Sequence, residues 1–243
     1  KSYLSLIKFS HTIFAMPFAL IGFFLAIFEN TSVVPGWGSR VFPPLFPWSE
    51  LLVKLVTVIL CMVFARSAAM AFNRYLDRHF DAKNPRTAIR EVPAGIITPK
   101  NALLFTIANC VLFILTTWFI NRICFFLSPV ALAVVLGYSY TKRFTPLCHL
   151  ILGVGLSLAP IGAYLAVTGE FALLPVLFSI AVIFWVSGFD IIYALQDEEF
   201  DKSNKLYSIP AWLGKGKALL VSEILHLLSA GAVVYAGVYG QFS

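Results

Sequence analysis

The fold of this chain is decided by a stretch in which an apolar segment runs directly into an acidic one: ARSAAMAFNRYLDRHFDAKN, residues 65–84. The part before Asn73 belongs to an apolar run at 51–72 that is long enough to cross a bilayer as a helix. The part after it carries Asp77 and Asp81, four residues apart. Because residues four apart share one face of a helix, the stretch predicts a membrane span that ends in paired carboxylates.

The composition extends this interpretation to the whole chain. Of the 243 residues, 59% are hydrophobic and 12% are charged, against about 25% charged in a typical soluble domain. The apolar runs predict seven spans, near residues 12–28, 51–72, 102–120, 123–140, 148–168, 172–192 and 217–238. The sequence therefore predicts an all-α protein, a polytopic bundle of membrane helices.

The basic residues predict which way the spans face. If the spans alternate in direction, fourteen of the 18 Lys and Arg residues fall at one end of the bundle, and Arg40 and Arg122 fall at the other. By the positive-inside rule, the basic end faces the cytoplasm. Topology thus explains the net charge of +6, and no nucleic-acid partner is expected. The segment 29–50, with Pro35 and Trp37, is predicted to be an interfacial loop on the opposite face.

The acidic pattern occurs twice. Residues 77–84 read DRHFDAKN and residues 197–204 read DEEFDKSN, and each copy follows a predicted span at the basic end. One acidic pair at the end of a span is usually a solvated helix end, but two matched copies on one side favour a shared function. The matched spacing also indicates duplication of a four-helix unit. Helical periodicity predicts two polar stripes, formed by Asn73, Asp77 and Asp81 and by Asp190, Tyr193, Asp197 and Asp201.

Paired carboxylates of this kind are suited to divalent cations. Like charges four residues apart destabilise a helix unless they are compensated. Mg²⁺ prefers carboxylate oxygens together with phosphate and water. We therefore interpret the two copies as a clamp in which Mg²⁺ ions hold one diphosphate, with basic residues of the same loops neutralising its remaining charge. An EF-hand is excluded, because neither copy has the central glycine or the acid at the twelfth loop position.

Arg66 is the second anomaly of the opening stretch, because it lies within the apolar part of its span. A charge at such a position costs on the order of 2.5–3.5 kcal/mol on insertion scales, so it normally faces a polar cavity or a partner. Its small neighbours Ser67, Ala68 and Ala69 would let another helix pack closely. We interpret Arg66 as a cavity residue that binds a substrate anion, with a purely structural ion pair as the alternative.

With these residues assembled, the chain resembles the UbiA superfamily of intramembrane aromatic prenyltransferases, and among them the 4-hydroxybenzoate polyprenyltransferases. The family's first motif, N-[DR]-x-x-D-x-x-x-D, matches residues 73–81. Its second motif, D-x-x-Y-x-x-x-D-x-x-x-D, matches residues 190–201. Three further segments are similar to family segments: FSHTIFAMPFAL (9–20), NPRTAIREVPAG (84–95) and YSYTKRFTPLCHLILG (138–153).

The resemblance implies a central cavity that opens to the cytoplasm and to lipid, in a bacterial plasma membrane. Its ligands would be Mg²⁺, a polyprenyl diphosphate and a small aromatic acid, and no protein partner is inferred. The metal-binding and catalytic carboxylates would be Asp77, Asp81, Asp197 and Asp201. Tyr193 would shape the site or shield a carbocation during catalysis. The other substrate-binding residues would be Asn73, Arg66, Lys142, Arg143 and Asp190.

The implied reaction transfers the polyprenyl group to 4-hydroxybenzoate for quinone biosynthesis, through an allylic carbocation formed with the assistance of Mg²⁺. A naphthoate acceptor, as in menaquinone biosynthesis, stays open, and a haem or chlorophyll-type tetrapyrrole is a further alternative. A secondary transporter would also have internal repeats, but its site would lie near the midplane rather than at helix ends. Because the family has nine spans, residues 1–243 are expected to be one domain without its last two helices.

Overall fold

Seven long helices dominate the computed structural model, which describes residues 2–7, 9–29, 31–33, 40–44 and 47–242. In chain order the helices are α1 (Ser2–Leu6), α2 (Phe9–Glu29), α3 (Trp48–Leu76), α4 (Arg78–Asp81), α5 (Pro99–Trp118), α6 (Arg122–Thr141), α7 (Cys148–Thr168), α8 (Leu173–Ala194), α9 (Glu198–Ser203), α10 (Ile209–Leu213) and α11 (Lys215–Tyr239). A short 3-10 turn at Leu195–Asp197 joins α8 to α9. Each predicted span corresponds to one of the long helices, α2, α3, α5, α6, α7, α8 and α11.

The long helices are those of an integral membrane protein. Six of them are long and apolar enough to cross a membrane, and α2 contains a shorter apolar stretch at Ile13–Glu29. Large apolar side chains on their outer faces are exposed, including Phe126 and Leu227, each 72% exposed. Such side chains are suited to contact with lipid. The prediction of a polytopic helical bundle is confirmed.

The helices pack closely where small residues lie between them. In the tertiary contacts, α8 packs against α7 and α11, α7 packs against α2, and α3 packs against α5. At Gly22 of α2, a Cβ atom would lie 1.9 Å from the carbonyl oxygen of Pro160 in α7. At Gly153 of α7, a Cβ atom would lie 2.5 Å from Ser187 Oγ in α8. These helices therefore touch almost backbone to backbone, as small residues permit in membranes.

The segment between α2 and α3 departs from the all-α prediction in the described part of the chain. Two short strands, β1 (Thr31–Val33) and β2 (Arg40–Pro44), pair antiparallel there. The sequence did not predict them, because such short runs interrupted by proline have no clear alternation of apolar and polar residues. Pro35 and Trp37 of the predicted interfacial loop lie outside the described residues, as do Lys1 and Lys8, which were predicted to lie at the basic end.

Helices α3 and α8 bring the two acidic copies to one end of the bundle. This is the end at which the sequence also predicted most of the Lys and Arg residues, and we keep the name basic end for it. Each long helix is followed by a short acidic one, α4 or α9, as expected for a duplicated unit. Neither of the two predicted polar stripes runs along a single straight helix, because α3 ends at Leu76 and α8 ends at Ala194. The backbone stays nearly helical through the first bend: the N–H of Asp77 donates to the carbonyl of Asn73 at 2.9 Å, and that of Asp81 donates to Asp77 at 2.8 Å.

Candidate active site

A cavity of about 230 Å³ lies between the two acidic copies at the basic end. Its walls come from the end of α3 through the loop after α4, from the end of α6 through the start of α7, and from the end of α8 through the segment after it. Nine of the ten predicted site residues line this cavity: Asn73, Asp77, Asp81, Lys142, Arg143, Asp190, Tyr193, Asp197 and Asp201. The folding of the chain therefore brings both acidic copies and the predicted basic pair to one place.

In the first copy, each carboxylate is paired with an arginine. Asp77 Oδ1 lies 3.2 Å from Arg143 Nη2, and its Oδ2 accepts a hydrogen bond from Asn73 Nδ2 at 2.9 Å. Asp81 Oδ1 accepts from Arg90 Nη1 at 2.7 Å. Burial raises the pKa of the Asp77 carboxyl group above its ordinary value, and the hydrogen bond from Arg143 offsets part of that rise.

In the second copy, the first carboxylate is held by residues from the first copy's side of the cavity. Asp197 Oδ1 accepts hydrogen bonds from Asn84 Nδ2 at 2.9 Å and from Arg86 Nε at 3.0 Å, and its Oδ2 pairs with Arg86 Nη2. Arg86 Nη1 also donates to the Tyr193 hydroxyl at 3.1 Å. Burial on its own would lower the pKa of Arg86, but the hydrogen bond and charge of Asp197 raise it. Arg86 thus binds both a carboxylate and a phenol that line the cavity.

The second acid of each copy is more deeply buried than the first. The side chains of Asp81 and Asp201 are 8% and 0% exposed, against 27% for Asp77 and 12% for Asp197. Lys142 Nζ lies 2.8 Å from Asp201 Oδ1. Asp81 Oδ2 and Asp201 Oδ2 are buried as well, and neither accepts a well-aligned hydrogen bond from the described residues. Buried oxygens without a donor are costly, so a cation that ligates them would stabilise the site.

This set of donors fits Mg²⁺. The ion prefers hard oxygen ligands, and it commonly takes one or two carboxylates and completes its octahedron with water and substrate phosphates. Across the described residues, no three His, Cys, Asp or Glu side chains are gathered into a ready-made metal site. The carboxylates are paired with cationic side chains instead. The arrangement therefore fits a metal ion that binds together with a phosphate group rather than a preformed protein cage.

Several cavity residues were not assigned a role from the sequence. Asn84, Arg86 and Arg90 lie in NPRTAIREVPAG, which was matched to the family only as a segment. The spacing of the two arginines, four apart beside an acidic motif, was a usable signal. His149 was missed too, although it is a polar residue at the start of an apolar run. Its Nδ1 lies 2.7 Å from Asp190 Oδ2.

Arg66 is the predicted site residue that does not line the cavity. It lies in α3 with its Nε buried and without a hydrogen-bond partner among the described residues, and its Nη2 is 4.0 Å from Met70 Sδ. Its charge lies near Tyr138, which does line the cavity. Arg66 thus lies beside a residue of the cavity wall rather than in the lining itself, and its binding of a substrate anion stays a prediction.

Comparison with known proteins identifies the family. Residues 15–243 match the profile of the UbiA prenyltransferase family. The chain is similar to the 4-hydroxybenzoate octaprenyltransferase of Tolumonas auensis, with 31% identity over 188 residues that cover 77% of this chain and 64% of that protein. It is 36% identical to the corresponding protein of Actinobacillus pleuropneumoniae over 148 residues, which cover 60% of this chain and 50% of that protein. The chain spans less than two thirds of the length of these relatives.

Solved structures show the same fold. The apo structure of a UbiA homolog from Aeropyrum pernix superposes with a TM-score of 0.82 at 30% identity, covering 96% of this chain and 81% of that one. A UbiA homolog from Archaeoglobus fulgidus, bound to GPP and Mg²⁺, has a TM-score of 0.75 at 23% identity and covers 98% and 78%. The sequence profile, the curated relatives and the fold all indicate the family that the two acidic motifs resemble. The chain belongs to the UbiA prenyltransferase family.

Proposed function

We propose that this chain is an intramembrane prenyltransferase that transfers a polyprenyl group from its diphosphate to 4-hydroxybenzoate. The observation that carries the proposal is the convergence of two acidic motifs and their paired cations on one cavity at the end of an apolar bundle. The 4-hydroxybenzoate octaprenyltransferases among the relatives support the choice of acceptor. A naphthoate acceptor is the alternative with the same chemistry.

The cations of the site are placed to bind the diphosphate. Without substrate they neutralise the carboxylates, in the pairs Arg143–Asp77, Arg90–Asp81, Arg86–Asp197 and Lys142–Asp201. In the proposed complex the four carboxylates would hold Mg²⁺, and the cationic side chains would bind phosphate oxygens, with which arginine forms strong paired hydrogen bonds. Mg²⁺, when bound, would neutralise the diphosphate and stabilise the departing pyrophosphate. The donor and the metal are therefore expected to bind cooperatively.

Aromatic side chains that line the cavity would stabilise the allylic carbocation. Phe80, Tyr138, Tyr193 and Phe200 all line the cavity. The face of an aromatic ring attracts a cation, and this attraction is stronger where water is excluded. The hydrogen bond from Arg86 holds the Tyr193 hydroxyl, which fixes the orientation of its ring. These residues would therefore orient the reacting carbon and keep water away from it.

The acceptor is proposed to bind between Arg66 and Asp190. An arginine whose Nε is buried and unpaired favours an anion, and the carboxylate of 4-hydroxybenzoate would supply one. The Asp190 side chain is 29% exposed and lines the cavity. It would accept a hydrogen bond from the acceptor hydroxyl, which makes the ring more electron-rich. As the allylic C–O bond to the diphosphate breaks, the prenyl carbon would bond to a ring carbon, and the proton on that carbon would pass to the released pyrophosphate.

We also propose that residues 1–243 act as one domain in a bacterial plasma membrane, with the cavity facing the cytoplasm. Positive charges cluster at the end of the bundle that carries the cavity, as the positive-inside rule requires of a cytoplasmic face. Prenyl diphosphates are charged at one end and apolar along the rest. A cavity at a bundle end would let the diphosphate stay near water while the chain lies among apolar helices.

The proposal is tested by prenyl transfer with the purified protein in detergent. A polyprenyl diphosphate and Mg²⁺ are supplied with 4-hydroxybenzoate in one reaction and a dihydroxynaphthoate in another, and products are separated by chromatography. We expect product with 4-hydroxybenzoate, its loss on adding EDTA, and its return with excess Mg²⁺. Product with the naphthoate alone would contradict the assigned acceptor. Failure to bind the diphosphate would contradict the clamp, and uptake by proteoliposomes without product would favour the transporter.

A further inference from the structure

His149 is a buried histidine in the wall of the cavity with no role so far. It is 2% exposed and lies in the first turn of α7. Its ring is held on both sides: Nδ1 lies 2.7 Å from Asp190 Oδ2 on α8, and Nε2 lies 3.3 Å from the backbone nitrogen of Ile209 at the start of α10. The ring therefore joins the cavity to the segment that follows the second acidic copy.

These two contacts fix the protonation of the ring. A backbone N–H can only donate, so His149 Nε2 must accept the hydrogen bond from Ile209. The ring proton then lies on Nδ1 and is donated to Asp190 Oδ2. Asp190 Oδ1 has no hydrogen-bond partner in the described part of the chain, and the residue lines the cavity. One carboxylate oxygen is thus held by the protein, and the other is available to a ligand.

The backbone around His149 is held in place on the opposite side. Ser187 Oγ of α8 donates to the carbonyl oxygen of His149 at 3.1 Å. The close approach at Gly153 keeps α7 and α8 together one turn further on. The segment before α10 is tied to the loop before α7, because the N–H of Tyr207 donates to the Lys142 carbonyl at 2.7 Å. The His149 ring therefore lies between elements that cannot easily shift relative to one another.

We propose that His149 is a positioning residue for Asp190, an inference that rests on the proposed function. The ring holds Asp190 Oδ2, so that Oδ1 points at the acceptor in one fixed orientation. A carboxylate free to rotate would present its oxygens in many orientations, and few of them would suit the acceptor hydroxyl. Groups that orient a functional side chain through a hydrogen bond commonly contribute about 10–100-fold to activity in metal sites, and we expect a similar range here.

Three variants separate positioning from mere support of the fold. In His149→Asn, the nitrogen of the new side-chain amide would occupy the place of Nδ1, so this variant keeps a donor for Asp190 and loses the contact with Ile209. His149→Gln reaches the place of Nε2, so it keeps an acceptor for Ile209 and loses the bond to Asp190. His149→Ala loses both. His226→Ala is the matched control, because His226 is a partly buried histidine whose Nδ1 contacts the Ser222 carbonyl within its own helix.

Kinetics distinguish these variants. We expect His149→Ala and His149→Gln to lower kcat about 10–100-fold, His149→Asn to recover to within about threefold of the wild type, and KM for the diphosphate to change less than about threefold. His226→Ala should keep kcat within about twofold. Adding His149→Ala to Asp190→Ala should cause little further loss, because the two residues act as one unit. Recovery by His149→Gln but not by His149→Asn, or unchanged kcat in His149→Ala, would overturn the proposal.

A spectroscopic measurement separates failure of this proposal from failure of the proposed function. In protein labelled with ¹⁵N-histidine, the His149 signals, assigned with His149→Asn, should show a protonated Nδ1 and an unprotonated Nε2. Asp190→Ala should shift the Nδ1 signal and leave that of Nε2 nearly unchanged. If the wild type transfers no prenyl group but shows these signals, the proposed function fails and the His149–Asp190 pair stands. An unprotonated Nδ1 in an active wild type would overturn the pair alone.

Discussion

The two copies of Asp-x-x-Phe-Asp-x-x-Asn share a pattern, but their asparagines are used differently. Asn84 reaches across the cavity and donates to Asp197 Oδ1 at 2.9 Å, whereas Asn204 donates to the carbonyl of Phe200 in its own helix at 2.9 Å. Arg86 crosses in the same direction as Asn84. Within the described chain, no side chain of residues 197–204 donates a hydrogen bond to the first copy in return. The first copy and the loop after it therefore supply the side chains that hold the first acid of the second copy.

The positions before the acids have also diverged. Four residues before the first acid, the first copy has Asn73 and the second has Tyr193. Seven residues before it, the first copy has Met70, which contacts Arg66, while the second has Asp190, which is paired with His149. Duplication thus accounts for the acids, and the residues around them differ between the two sides. The predictions below test how far the copies remain equivalent.

The largest loss of activity is expected on replacing the first acid of either copy, a residue that both copies share. Asp77→Ala and Asp197→Ala should each lower kcat/KM by about 10²–10³-fold, because each would remove a carboxylate of the proposed clamp for the metal and the departing diphosphate. Steady-state prenyl transfer measures this loss. Glu223→Ala, which removes an exposed acid on α11, should have no effect. Normal turnover in either aspartate variant would show that its copy does not form part of the clamp.

The next prediction concerns Arg66, which is proposed to bind the acceptor and has no counterpart in the second copy. Arg66→Ala should raise KM for 4-hydroxybenzoate about 10–100-fold, the value of one strong charge-assisted contact, and leave KM for the diphosphate within about twofold. Arg122→Ala, at the opposite end of the bundle, removes an exposed arginine as a control. Equal KM values for both substrates in Arg66→Ala and the wild type would assign Arg66 to structure.

The two asparagines give a matched pair of substitutions. Asn84→Ala should lower kcat/KM about tenfold, because it removes one hydrogen bond to the charged Asp197. Asn204→Ala should change kcat/KM less than about twofold, since Asn204 follows α9 directly and its bond goes back to Phe200 in that helix. Parallel initial-rate measurements compare the two. Equal losses would mean that the copies are used symmetrically, contrary to the contacts across the cavity.

The smallest expected effect is on the thermal midpoint of the protein, and it concerns the pair that Lys142 forms with Asp201 of the second copy. Lys142→Ala should lower the thermal midpoint by a few degrees, because the fully buried Asp201 loses its cationic partner. Asp201→Asn in the same chain should restore much of that loss, since it removes the uncompensated charge. Thermal unfolding in detergent without Mg²⁺ measures both variants. A midpoint that falls further in the double variant would show that Lys142 stabilises the fold in another way.

The sequence predicted the parts of this molecule that depend on local pattern. Apolar runs gave the long helices, and the positions of Asp77 and Asp197 after their spans placed both acids at one end. The small residues beside Arg66 also pack as expected, with Ala68 and Ala69 almost fully buried. Length and periodicity are sufficient for such features, because a bilayer requires helices and each helix end follows from its apolar run.

The contacts that cross the cavity could not be read in the same way. The Asn84–Asp197 bond joins residues 113 positions apart, and nothing local to either residue specifies the other. The contacts of His149 could not be predicted from the sequence either, because its partners lie on two other elements. The break of α3 at Asp77 and the paired strands before α3 were missed for a different reason. Both are short, and tertiary contacts rather than periodicity decide them.

The crossing of Asn84 and Arg86 to Asp197 also affects the order in which the molecule can be built. A ribosome delivers the chain from its N-terminus, so the loop that carries Arg86 enters the membrane region long before Asp197 exists. During that interval the guanidinium has no native carboxylate to bind. The second copy, by contrast, emerges onto a partner that is already present. The contacts of Asn84 and Arg86 with Asp197 can therefore form only after the second half of the chain has been made.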